Sequence, residues 1–168
     1  MEQLKWYSMH QNNSGAHLII DDDVAPVVLI QATSADHVNE MVEAAKFKNL
    51  YFGWSLEQEC EHDCGCCGNR WTPVDSDSYN VHADGVETEV RIHRDDQLKL
   101  FLELIEKYPD LHDTPVIHLG SGVWSITTSD IRLIAMVIAT WAATSSVFFK
   151  HPASAIIYYL DGTKNIIR

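Results

Sequence analysis

A chain of 168 residues, 46% of them apolar, is long enough to bury one sizeable core and short enough to do so as a single domain. Its 24 acidic residues outnumber the 12 basic ones, and the resulting net charge of −12 repels a phosphate backbone and disfavours nucleic-acid binding. No stretch approaches the roughly 18 apolar residues of a membrane span, and the opening MEQLKWYSMHQNNSG has neither the basic flank nor the apolar run of an export signal, so a cytoplasmic address is expected.

In chain order, KWYSMH predicts a strand, the turn formers Gln11 to Gly15 follow it, and AHLII predicts a second strand before the triplet Asp21 to Asp23. PVVLIQA, residues 26 to 32, predicts a strand, since its β-branched and aliphatic residues suit a largely buried pleated surface. Ser34 stands where a helix N-cap belongs, and Val38, Met41, Val42 and Ala45 recur on one helical face, which predicts a helix over 35 to 47. LYFGW is a short aromatic strand or turn leading into a cysteine-rich stretch.

Beyond that stretch, Asp84-Gly85 sits between two alternating segments and predicts a tight hairpin. Leu98, Phe101, Leu102 and Ile105 form the apolar face of a surface helix that stops at Tyr108-Pro109, with Asp95 or Asp96 as its cap. Gly120-Ser121-Gly122 is a hairpin turn between VIH and VWSITT. SDIRLIAMVIATWAA is apolar around most of its circumference, so it must be covered on several sides, by the centre of the fold or by a second copy of the chain. Asp161-Gly162 between SAIIYYL and TKNIIR closes the chain in another hairpin. Hairpins joined to non-alternating helices predict an α+β fold, residues 1–168 forming one domain, with a largely antiparallel sheet, about three helices and a small zinc-knuckle-like loop.

That loop is CEHDCGCCGNRW, residues 60–71, which holds all four cysteines. In a reducing compartment clustered thiols more often bind metal than form disulfides. Cys64 and Cys67 are separated by two residues and precede Gly68, half of a tetrahedral zinc site; Arg70 and Trp71 offset thiolate charge and shield the knuckle. A second C-x-x-C is missing, so the remaining ligands come from Cys60, His62, Cys66, His82 or His93, and the favoured set is Cys60, His62, Cys64 and Cys67 around a structural zinc ion. A metal-free turn is the competing reading. Glu57, Glu59, Glu61 and Asp63 raise the pKa of nearby thiols and weigh against a nucleophilic cysteine. His112, Asp113 and His118 beside HLGSGVW lack phosphate-loop spacing, and none of the nine histidines falls in a metalloenzyme motif.

QNNSG, VVLIQA followed by Ser34, YFG, DCGCCGNRW and IIYYLDGTK occur here in that order. Together they resemble an uncharacterised family of small tailed-bacteriophage proteins, a domain of unknown function, over roughly residues 3–75 and 154–166. The resemblance implies a phage origin and residence in the host bacterial cytoplasm, and it marks 86–150 as an addition to the shorter members. It carries no catalytic residue.

Three functions are expected from these readings. The first is an accessory protein of host takeover or anti-defence that inhibits a host protein by stoichiometric binding. The second is a sponge that sequesters a nucleotide immune signal between subunits of a homo-oligomer, with Trp71, Trp124 or Trp141 stacking a base and Arg70, Arg91 or Arg94 meeting phosphate. The third, a zinc-dependent hydrolase, requires an open coordination position, and binding is favoured over catalysis.

Overall fold

The structure, a computed structural model, describes residues 2–11, 20–22, 25–45, 81–145 and 151–168. Among them lie eight strands and three helices: β1 (Lys5–His10), β2 (Val27–Ala32), α1 (Ala35–Ala45), β3 (Val81–Ala83), β4 (Thr88–Ile92), α2 (Asp95–Ile105), β5 (Ile117–Gly120), β6 (Val123–Thr128), α3 (Ile131–Ser145), β7 (Ala155–Tyr158) and β8 (Lys164–Ile167). One sheet runs β3-β1-β2-β7-β8 and another runs β4-β6-β5. Every pairing is antiparallel except β2 with β7, so the α+β architecture with a largely antiparallel sheet is the one observed.

The five-stranded sheet is covered on both faces. Trp6, Val27, Leu29, Ala155 and Ile157 turn toward α3, whereas Tyr7, Met9, Val28, Ile30 and Ile156 turn toward Val38 of α1. This two-sided burial is why β2 is a continuous aliphatic run and not an alternating one. Ser34 caps α1, its hydroxyl accepting from the His37 amide at 3.1 Å.

Helix α3 is the centre of the molecule. Leu133, Ile134, Met136, Val137 and Ala139 are buried in one cluster with Leu29 and Ile157 of the larger sheet, Ile92 and Ile126 of the smaller one, and Phe101 of α2. Trp141 is the exposed large apolar side chain of this helix, at 50%.

Two local expectations change. Asp84-Gly85 makes its turn, with Gly85 at φ +70°, but the strands it joins belong to different sheets: β3 pairs with β1, and β4 with β6. The reason is the Asp84 carboxylate, which accepts from Trp6 Nε1 at 2.7 Å and Gln31 Nε2 at 3.1 Å while its amide donates to the Leu4 carbonyl at 2.9 Å. These bonds pin the turn to the larger sheet and send the chain across to the smaller. On α2 the N-cap position is Arg94, not Asp95 or Asp96; Gln97 reaches back from the first turn to accept from the His93 amide at 3.1 Å. Its inward face is Gln97, Phe101, Leu104 and Ile105, and Leu102 points outward.

The other two turns form as expected. Gly120, Ser121 and Gly122 all take positive φ between β5 and β6. Gly162, at φ +86°, joins β7 to β8, and Asp161 accepts from the Thr163 amide and hydroxyl at 2.9 and 2.6 Å. Residues 16–19 of the segment predicted at AHLII, all of LYFGW, and the zinc-knuckle-like loop lie outside the described residues.

Candidate functional site: a histidine-lined cleft beside helix α3

Where the two sheets diverge around α3 they leave a cleft of about 280 Å³. The larger sheet contributes His10 and His82, the smaller contributes Val90 and Arg91 with His93 following, and α3 closes it with Val137, Ile138 and Trp141. Strand alternation brings the first two together: His10 shares a face of β1 with Trp6, and Trp6 is the register partner of His82 on β3. Gln97 holds His93 by its amide and ties α2 to α3 through Thr144 Oγ1 at 3.1 Å.

Both imidazoles of the larger sheet are neutral at physiological pH. Burial pushes His10 down to about 4 and lowers His82 as well, since a buried ring is penalised for carrying charge. The His10 ring stands edge-on to Trp141 at 5.4 Å between centroids. Its Nδ1 is buried without a hydrogen-bond partner among the described residues. A buried polar atom left unsatisfied is destabilising, and a ligand reaching it supplies the missing bond.

Arg91 stands at the mouth, its guanidinium on Glu89 at 2.9 Å and 3.3 Å while Ser125 donates to the same carboxylate at 2.8 Å. The bonds from Arg91 and then from Ser125 hold the Glu89 carboxyl below its ordinary range. The pair is solvent-exposed and therefore weak, so an incoming anion can share the guanidinium. The chemistry on offer is thus an aromatic platform, a neutral imidazole edge and one cation. No three His, Cys, Asp or Glu among the described residues are placed to hold a metal ion.

Of the residues singled out in the sequence, Cys60, His62, Cys64, Cys67, Arg70 and Trp71 lie outside the described residues. Trp124 is on β6, stacked on His118 of β5 at 5.2 Å and 28°, and does not line the cleft. Arg94 is committed to Asp96, with contacts at 2.6 and 2.9 Å, and to the Thr144 carbonyl at 3.2 Å. Trp141 and Arg91, named in the sequence as one pair among several, are the two that line the cleft. His10 was not singled out. Its signal was the alternation Trp6, Ser8, His10 along β1, which places a histidine on a core-facing row.

The model of one protein family, described only as a domain of unknown function (DUF7296), matches residues 4–103. This chain belongs to that family. The match takes in β1 to β4 and most of α2, so His10, His82, Arg91 and His93 are within the family's span and Trp141 is beyond it. No curated protein and no solved structure matches the chain.

Proposed function

We propose that this protein acts by stoichiometric binding and that its cleft takes a planar heteroaromatic anion of the nucleotide class. The observation that carries the reading is the convergence of Trp141, His10 and Arg91 on one cleft. A half-exposed indole supports stacking on a base, the unpartnered His10 Nδ1 supports a hydrogen bond to its edge, and Arg91 supports a contact with phosphate. The setting we propose is that of a phage accessory protein in the host bacterial cytoplasm, sequestering a nucleotide immune signal; the QNNSG and C-x-C-C-G-x-R-W resemblance supports it. Calorimetric titration with adenosine 5′-monophosphate tests the binding step. Saturation at one nucleotide per chain is expected, and heat without saturation contradicts the proposal.

A second reading, inhibition of a host protein, is favoured by β5. This edge strand of the smaller sheet carries Ile117 and Leu119 at 57% and 51% exposure and no charged residue to discourage a partner strand. Under that reading Leu119→Lys abolishes capture of the host protein and leaves nucleotide binding unchanged; binding that survives Leu119→Lys contradicts it. The C-x-x-C-G spacing further supports a structural zinc ion on Cys60, His62, Cys64 and Cys67. Elemental analysis is expected to find zinc, and a folded chain free of it contradicts that assignment.

A further inference from the structure

A second cavity, of about 290 Å³, opens beside α2, where the segment before β7 passes beneath it. Its floor is apolar, formed by Leu100 and Leu104 of α2 and by Ala153. Into this floor is set Ser154, 1% exposed, whose hydroxyl has no hydrogen-bond partner among the described residues. A lone hydroxyl in an apolar wall destabilises the empty protein and marks a place where a ligand's polar atom is missing.

The rim is cationic on two sides. Lys107 makes no ion pair among the described residues. Arg168 reaches the Asp22 carboxylate at 3.3 Å and the Asp21 carbonyl, and thereby holds residues 20–22, with Ile20, against the cavity as a wall. The one acidic group of the rim, Glu103, has Lys99 at 4.0 Å on its outer side. With the Asp22 carboxylate that Arg168 holds, two cations face two carboxylates here, and Lys107 is left as the cation without an ion pair among the described residues, on a protein whose net charge is −12. An unpaired cation over an apolar floor is complementary to an organic anion.

We infer that this cavity binds an amphipathic organic monoanion, a carboxylate on a short aliphatic body. One carboxylate oxygen meets Lys107, the other accepts from the Ser154 hydroxyl, and the aliphatic body covers Leu100 and Leu104. The site is separate from the cleft of Trp141 and does not depend on it.

Calorimetric titration of the full chain with sodium octanoate tests this, with octan-1-ol and inorganic phosphate as comparators. Octanoate is expected to saturate at one per chain, octanol to bind about tenfold more weakly for want of the charge–charge hydrogen bond, and phosphate not to bind. Lys107→Gln lowers octanoate affinity about tenfold, and Glu103→Gln raises it. Ser154→Ala lowers affinity roughly fivefold while the melting temperature of the empty protein holds or rises, because an unsatisfied group is removed. Octanol binding as tightly as octanoate, an unchanged affinity in Lys107→Gln, or a Ser154→Ala protein that melts earlier overturns the inference. Titration with adenosine 5′-monophosphate is unaffected by all three substitutions, which separates this site from the cleft.

Discussion

The imidazole of His10, at the end of β1, stands edge-on to the indole of Trp141 on α3, with centroids 5.4 Å apart and planes at 71°. The contact joins the larger sheet to the central helix at the one point where that helix shows a large aromatic face to water. It also screens the histidine from solvent, which is the physical cause of its low pKa. Binding surface and buried base are therefore coupled through one ring.

Trp141→Ala is expected to admit water to His10 and raise its pKa from about 4 toward the ordinary histidine value. An NMR titration of the imidazole resonances measures this. The same substitution lowers nucleotide affinity about tenfold or more, the scale of base–aromatic stacking.

Stability should depend on pH in a defined window. His10 has a lower pKa folded than unfolded, so the unfolded chain takes up its proton first as pH falls. The contribution is complete above about 6.5 and is lost as pH drops toward about 4, on the order of 3 kcal/mol for His10 alone, with His82 adding in the same direction. Carboxylates held low, Glu89 by Arg91 and Asp161 by Thr163, lose theirs only below the ordinary carboxylate range, about 4. Urea unfolding from pH 7 to 4 is expected to show a slope that His10→Gln flattens.

Much of this molecule was legible as pattern. Aliphatic and β-branched character predicted β2, Ser34 predicted the start of α1, and residues 129–143, apolar around most of the circumference, predicted a helix covered on several sides. Pairing was less legible. Asp84-Gly85 has hairpin chemistry, and only the distant donors Trp6 and Gln31 explain why its strands part. The cleft was legible in its parts alone: Trp141 and Arg91 were two among several aromatic and cationic candidates, and their lining of one cleft depends on the crossing of α3 between two sheets, a long-range relationship that local spacing does not encode.

The Asp84 anchor makes a prediction of its own. Asp84→Ala leaves the Trp6 indole N–H and the Gln31 amide short of a partner and is expected to destabilise the fold by about 1–3 kcal/mol, read by urea denaturation.

Core and surface faces of the helices separate in the same assay. Leu133→Ala and Phe101→Ala, both in the central cluster, are expected to lower stability by about 2–5 kcal/mol, whereas Leu102→Ala on the outer face of α2 changes it by about 0.5 kcal/mol or less.

The cleft itself is tested most directly by amide and indole chemical shifts of the labelled protein as adenosine 5′-monophosphate is added. Shifts that saturate together at the Trp141 indole N–H, the His10 and His82 rings and the Arg91 guanidinium are predicted. Shifts scattered over the surface, or confined to Trp124 and β5 with the cleft unmoved, contradict the account.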